Sequence, residues 1–236
     1  MDDNWRLTQT QISAACVLHR ELLPNWQFAD RSFEFLKGLR FESPEICLLA
    51  VVSLDALYGT NLRYHPGSRE DIARYVFSIR ERLLKPARTD HDLVEDIVRC
   101  SSSGASISFA SKFCHFFVSA EYPIYDKFVC YALKRLIPIR ERRRMEVSLD
   151  RYSGFSKACR LMTELREPTG ETITIRQLDQ CLWLMGQCLD FDRPSKKQTN
   201  AKESKNEVWL LFDKHPNRLR EILPNYLRTD PHHQPL

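Results

Sequence analysis

Apolar residues recur at helical spacing along most of the first 190 residues of the chain. From 7 to 23, for example, Ile12, Ala15 and Leu18 share one helical face, and Pro24 ends the pattern. The same spacing predicts helices over residues 7–23, 31–40, 44–58, 68–84, 90–100, 109–118, 126–136, 150–165 and 175–188. We therefore predict an all-α fold.

The apolar pattern stops after Asp190, where a polar stretch begins. Residues 191–207 are rich in Lys, Ser, Asn and Gln, a composition typical of a flexible linker. Apolar residues return between Val208 and Leu227, which predicts one or two short helices docked on the main body. The predicted organisation is a helical domain over 1–190, a polar linker over 191–207, and a C-terminal helical appendage and tail over 208–236.

The composition agrees with a soluble helical protein. Only seven glycines are present, which favours helices over a turn-rich β fold. The longest apolar stretch, residues 46–54, is far shorter than the ~20 residues of a spanning helix. The N-terminus is acidic and polar where a signal peptide has a basic and then an apolar region. We expect a cytoplasmic protein that has no membrane partner.

Eight cysteines and seven histidines raise the question of a metal site. The cysteines are scattered, no two form a C-x-x-C pair, and most lie within apolar helical patterns. We interpret them as reduced core residues. The histidines are isolated or lie in the polar tail, as His232 and His233 do. No metal and no other cofactor is expected.

The net charge of +4 is small, but six Lys and Arg residues lie between positions 134 and 144. Such a run is typical of a surface that contacts nucleic-acid phosphates. A solvated helix end or loop is the alternative interpretation. The run directly follows the segment that carries the candidate chemistry, which strengthens the first interpretation but leaves both open.

That segment places Lys112 just after a Ser-rich and Gly-containing turn and Asp126 at the start of the next predicted helix. An aromatic helix lies between them. The amine of Lys112 is a candidate nucleophile, and the carboxylate of Asp126 can oppose positive charge that develops on a sugar. A lysine of ordinary pKa, about 10.4, is nearly all charged at pH 7, so we expect phenylalanines to desolvate the amine. As an alternative, Asp126 is a helix N-cap.

Four motifs carry a resemblance to a known family: Tyr58-Gly-Thr-Asn61, Ser108-Phe-Ala-Ser-Lys112, Pro123-Ile-Tyr-Asp126 and Leu182-Trp183. They resemble a family of largely uncharacterised bacterial proteins, over about residues 55–190. Independently of that family, Tyr58 and Asn61 are expected to form a turn, and Trp183 is expected in the core.

The lysine and aspartate motifs also resemble the helix-hairpin-helix DNA glycosylase superfamily, especially its 8-oxoguanine glycosylase-like branch. The resemblance implies a glycosylase-like helical body over 1–190. It places Ser108, Phe109 and Ala110 at the hairpin, and it implies that Lys112 is the nucleophile and Asp126 the conserved carboxylate.

The interpretation as a glycosylase assigns further residues. The backbone of 101–108 and basic side chains would contact the DNA backbone. Predicted nucleic-acid contacts are Ser108, Ala110, Ser111, Lys127, Lys134, Arg135, Arg140, Arg142 and Arg143. Aromatic groups would stack on a base that has left the duplex. The predicted base pocket comprises Phe109, His115, Tyr122 and Tyr125.

The leading hypothesis is a DNA-binding protein that excises a damaged or modified base with Lys112 and Asp126. The alternative is a catalytically silent helical module that binds nucleic acid or a protein partner, for instance in a bacterial defence system. The altered hairpin, which lacks both glycines, and the short spacing from Lys112 to Asp126 favour this alternative. Hydrolysis of a free nucleoside or nucleotide is a third interpretation.

Overall fold

The structure is a computed structural model that describes residues 6–60, 62, 67–85, 91–100, 106–164, 173–191 and 222. Within these residues every regular element is a helix and no strand occurs. The prediction of an all-α protein is confirmed at this level. The described helices are α1 (Gln9–Leu22), α2 (Pro24–Gly38), α3 (Pro44–Tyr58), α4 (Ser68–Ser78), α5 (Arg80–Leu84), α6 (His91–Arg99), α7 (Ile107–Phe113), α8 (Lys127–Leu136), α9 (Ile139–Arg144), α10 (Tyr152–Met162) and α11 (Ile175–Phe191).

Local sequence signals explain where several helices begin and end. At α1, Thr8 and Gln11 form a capping box, in which each side chain bonds to the backbone of the other. At α3, the Ser43 hydroxyl accepts a hydrogen bond from the Ile46 amide. Gly59 then ends α3 in the left-handed conformation, with φ 57°. The predicted bounds of α3, 44–58, are confirmed.

Other bounds differ from the predicted ones. Helix α2 begins at Pro24, seven residues before the predicted start, because proline is compatible with the first turn of a helix. The single helix predicted over 68–84 is divided at Ile79 into α4 and α5. The aromatic helix predicted over 109–118 begins at Ile107 and continues after α7 as a π-helix, Cys114–Val118.

The chain forms two compact units that alternate along the sequence. Unit 1 comprises Met1–Pro24, Asp126–Val147 and Ala158–Leu236. Its central helix is α11, which packs against α8 and α1. Gly186 lets α11 approach α8 closely, since a Cβ atom at this position would lie 2.0 Å from the Phe128 carbonyl oxygen.

Unit 2 comprises Asn25–Tyr125 and Ser148–Lys157. Helix α3 packs against α4 and α7, and α6 packs against α7 and α4. Its core is strongly aromatic. Phe33 lies 4.8 Å from Phe116 and 5.5 Å from Phe117 between ring centroids, and the Phe113 and Phe117 centroids are 5.0 Å apart.

Most of the predicted linker and appendage lies outside the described residues, so these domain boundaries stay predictions. Phe191 is the last residue of α11. Ile222 is fully buried, and its carbonyl oxygen accepts a hydrogen bond of 3.3 Å from the Gln11 side chain within unit 1. This contact ties Ile222 to α1.

All eight cysteines are free. Six of them are buried: Cys47, Cys114, Cys130, Cys159, Cys181 and Cys188. Burial raises the pKa of Cys47 to about 11 and that of Cys100 to about 11. Both thiols therefore stay protonated at neutral pH, and the interpretation of the cysteines as reduced residues stays a prediction.

Candidate functional site

Helix α7 and the segment that follows it carry most of the predicted site. The Ser106 hydroxyl caps α7 by accepting a hydrogen bond of 3.1 Å from the Phe109 amide. The cap explains why the helix begins earlier than the apolar pattern predicts. Phe109 and Ala110 are fully buried, while Ser108 is half-buried. Residues 101–105 of the predicted phosphate-binding turn lie outside the described residues.

Lys112 is a buried lysine whose side chain is only 5% exposed. Its Nζ donates a hydrogen bond of 2.6 Å to the Ser108 hydroxyl, one helical turn earlier. The same Nζ lies 5.8 Å from the centroid of the Tyr58 ring at the end of α3. The amine of Lys112 is therefore enclosed by a hydroxyl group on its own helix and by an aromatic ring of α3.

Tyr58 is itself held by several groups of unit 2. Its ring contacts Trp26 at 4.7 Å and Phe116 at 5.2 Å between centroids. Its hydroxyl donates a hydrogen bond of 3.4 Å to the Asp30 carboxylate. The aromatic wall beside Lys112 is therefore fixed by packing, and the motif that contains Tyr58 is brought next to the motif that contains Lys112.

Ser111, at the centre of α7, ties the later part of the segment to this helix. Its hydroxyl accepts a hydrogen bond of 2.9 Å from the Tyr125 amide and donates one of 3.2 Å to the Ser108 carbonyl oxygen. The Tyr125 hydroxyl in turn donates to the Leu149 carbonyl oxygen at 3.1 Å. Ser111 is fully buried and Tyr125 is half-buried. Ser111 therefore has a clear internal role, and its predicted contact with DNA stays a prediction.

The remaining residues of the predicted base pocket are inside unit 2. Phe109 is fully buried, Tyr122 is 1% exposed and His115 is 4% exposed. The His115 Nδ1 lies 2.8 Å from the Tyr122 carbonyl oxygen. Because a carbonyl oxygen only accepts, Nδ1 carries the proton of this hydrogen bond. Of the predicted pocket, Tyr125 alone is half-exposed, and the stacking role of these four residues stays a prediction.

Asp126 is the N-cap of α8. Its Oδ1 accepts a hydrogen bond of 2.8 Å from the Phe128 amide, and its backbone is extended, with φ −134°. The interpretation of Asp126 as a helix cap is confirmed. Asp126 belongs to unit 1 and Lys112 to unit 2. Their predicted cooperation in one reaction stays a prediction.

Residues 134–144, here called the basic segment, link the end of α8 to α9 in unit 1. The structure shows that α9 is a short helix, which the sequence pattern did not predict. Lys134 is exposed and Arg135 is half-buried. Both lie in the last turn of α8, where a positive charge interacts favourably with the helix dipole. Lys127, at the start of α8, is exposed and lies 4.6 Å from the Phe128 ring centroid.

The arginines of α9 divide into two pairs. Arg142 donates to the Ile137 carbonyl oxygen at 3.2 Å, and Arg144 pairs with Glu141 at 2.6 Å. Arg140 and Arg143 are exposed, and neither has a carboxylate within ion-pair distance among the described residues. Since they are three positions apart, they lie on the same side of α9.

Sequence reasoning missed Asp55, a buried carboxylate of α3 that is 3% exposed. It accepts hydrogen bonds from the Thr60 hydroxyl at 2.6 Å, the Leu62 amide at 3.0 Å and Arg69 Nε at 3.0 Å. Burial acts to raise the pKa of Asp55, but the hydrogen bonds from Thr60 and Arg69 outweigh it and hold the pKa below its usual range. The sequence signal that could have revealed this residue is an aspartate in the middle of the apolar pattern of residues 44–58.

The comparisons with known proteins add no identification. No family model, no curated protein and no solved structure matches this chain. Among the described residues, no group of three or more His, Cys, Asp or Glu side chains is placed to hold a metal ion. No helix in that part of the chain is long and apolar enough to cross a membrane.

Proposed function

We propose that this protein binds DNA through the basic segment. One observation carries the proposal: Arg140 and Arg143 lie exposed on the same side of α9, with no carboxylate partner among the described residues. Guanidinium groups in this state pair readily with phosphate oxygens, which they contact in a bidentate manner.

The packing of α9 supports this proposal. A short helix of a globular protein usually forms because it buries an apolar face. Helix α9 buries none of its residues. Two of its own arginines anchor it instead. Arg142 bonds to the Ile137 carbonyl oxygen, and Arg144 pairs with Glu141. Arg140 and Arg143 remain available for a ligand. The negatively charged phosphate backbone of DNA is complementary to them in charge.

Fluorescence anisotropy with a labelled 20-base-pair duplex at about 50 mM salt tests the proposal. We expect Arg140→Gln/Arg143→Gln to weaken binding by roughly tenfold, because two phosphate contacts and the accompanying counterion release are lost. The control Arg74→Gln/Lys157→Gln removes the same charge at two other exposed positions. Equal losses in both double variants, or no binding by the unaltered protein, would contradict the proposal.

A second candidate function is base excision at Lys112. The amine is buried, bonded to Ser108 and flanked by the Tyr58 ring, and partial desolvation is a known means of activating an amine nucleophile. The neutral amine would bond to C1′ as the N-glycosidic bond breaks, and the base would leave with the bonding electron pair and take up a proton. Opening of the sugar at O4′ then gives a C1′=N Schiff base.

Borohydride trapping tests this second function, since reduction of the Schiff base gives a stable covalent adduct. Duplexes carrying an abasic site, 8-oxoguanine or uracil are the probes. We expect an adduct with the unaltered protein and none with Lys112→Met, which keeps the apolar stem of the side chain. Lys157→Met, at an exposed lysine outside the predicted nucleic-acid contacts, is the matched control and keeps the adduct.

The two tests separate the candidate functions. Salt-dependent binding without any adduct would identify the catalytically silent DNA-binding module. An adduct that persists in Lys112→Met would exclude Lys112 as the nucleophile. If Asp126 also takes part, Asp126→Asn lowers adduct formation, while an asparagine at this position still caps α8.

A further inference from the structure

Unit 2 exposes an apolar surface formed by α2 and α3. Phe28 is 65% and Phe35 is 70% exposed on α2, and Leu49 is 50% and Leu57 is 47% exposed on α3. Only one other large apolar side chain among the described residues, Ile139, is exposed to a similar degree. We call these four residues and the groove between them the α2/α3 face. A cluster of this kind is typical of an interaction surface.

A groove of about 470 Å³ lies at the centre of this face. It is lined by Arg31, Ser32, Phe35, Leu36, Ser53 and Leu57. Both helices contribute to it, and two of its residues are small serines. The Ser32 hydroxyl donates a hydrogen bond of 3.0 Å to the Phe28 carbonyl oxygen. The Ser32 hydroxyl therefore has its hydrogen-bond acceptor within α2, and its small side chain allows a second helix to approach closely.

We propose that the α2/α3 face is the contact surface of a two-fold symmetric homodimer. Projecting phenylalanines and a receiving groove lie on one surface, and a two-fold contact applies the same surface of both copies to each other. If two α2 helices cross antiparallel at Ser32, Phe28 lies within one residue of facing Phe35 of the partner subunit. The rings and grooves of both copies are then covered together.

The charges of this face favour a second copy over other occupants. Arg31 and Glu34 are both exposed on α2, three positions apart. In the same antiparallel crossing, Arg31 lies within one residue of facing the partner's Glu34, and the symmetric pair forms as well. A membrane surface or a nucleic acid would favour positive charge alone, whereas this pairing of signs is complementary to itself.

Sedimentation equilibrium of the full chain from about 1 to 100 μM tests the proposal. We expect a reversible dimer, whose dissociation constant rises by roughly 100-fold in Phe35→Asp because a central aromatic contact is lost from each copy. Ile139→Asp places the same charge at an exposed apolar residue outside the face and is expected to leave the dimer unchanged. A monomeric unaltered protein, or a dimer unaffected by Phe35→Asp, overturns the proposal.

Charge reversal tests the predicted register. Arg31→Glu and Glu34→Arg each place like charges opposite each other, so each variant alone dimerises roughly tenfold more weakly. An equal mixture of the two variants forms heterodimers in which both ion pairs are restored, one in the original sense and one in the reversed sense. Dimers that neither weaken in the single variants nor recover in the mixture overturn this arrangement. A monomer that instead binds phosphatidylcholine vesicles assigns the face to lipid and overturns the proposal as well.

Discussion

In unit 1, Arg140 and Arg143 of α9 lie at the surface, whereas in unit 2 Arg69 and Lys112 bond to oxygen atoms of buried or half-buried residues. Arg69 bonds to the buried carboxylate of Asp55, and Lys112 to the half-buried hydroxyl of Ser108. Exposed cations gain little from a protein partner and remain available to a ligand. Buried cations need their partners, because an unpaired charge away from water is costly.

This difference means that similar residues have different roles in the two units. Arg140 and Arg143 contribute little to folding and are the residues proposed to bind phosphate. The pair Asp55 and Arg69 connects the end of α3 to α4 and is expected to stabilise unit 2. Lys112 is buried and is also the proposed nucleophile.

The largest effect on stability is expected from Asp55→Asn. The variant leaves Arg69 without its carboxylate and weakens the acceptor for Thr60 and Leu62, so we expect a loss of about 3 kcal/mol in the free energy of unfolding. Hydrogen exchange of peptides from α3 and α4 measures the loss. Asp71→Asn, which removes the exposed pair with Arg74, is the control and costs at most about 0.5 kcal/mol. Equal effects would contradict the contrast between buried and exposed pairs.

Asp55 also makes unit 2 sensitive to acid. Because its pKa is lowered in the folded protein, its contribution is complete above the ordinary carboxyl pKa of about 4. The contribution is lost as the pH falls through the lowered pKa. The acid dependence of exchange in α3 should therefore be weaker in Asp55→Asn than in the unaltered protein; an identical dependence would contradict this assignment.

A smaller effect is expected in unit 1 from Gly186→Ala. The added methyl group would meet the Phe128 carbonyl oxygen, so α11 and α8 must move apart, at a cost of about 2 kcal/mol. Exchange in α8 and α11 should rise. Gly38→Ala is the matched control, since nothing lies within 4 Å of the added atom, and it should be neutral or slightly stabilising. A destabilised Gly38→Ala variant together with a neutral Gly186→Ala variant would contradict this prediction.

Local signals were sufficient to predict most helices. Ser43, Pro44 and Gly59 mark the bounds of α3, and the structure has the same bounds. Helix α9 was missed because its sequence, Ile-Arg-Glu-Arg-Arg-Arg, has no apolar period. The π-helix after α7 was missed for a related reason, since its backbone departs from the period on which the prediction depends.

The candidate site was predictable in part. The cap formed by Asp126 follows from local sequence. Lys112 is buried, and the ring beside its amine is that of Tyr58, whereas the sequence pattern predicted phenylalanines. The contact of Lys112 with Tyr58 joins residues more than fifty positions apart, which no local pattern reveals. The partners of Asp55 were also missed, although Thr60, Leu62 and Arg69 lie only 5, 7 and 14 positions further along the chain. The glycosylase-like body and the roles that follow from it stay predictions.

The salt dependence of DNA binding tests the central claim most directly. Each phosphate contact contributes about −0.9 to the slope of log association constant against log salt concentration. We predict that Arg140→Gln/Arg143→Gln makes the slope shallower by roughly 2, while Arg74→Gln/Lys157→Gln leaves it unchanged. A slope that is the same in the unaltered protein and in Arg140→Gln/Arg143→Gln would contradict the assignment of DNA binding to the basic segment.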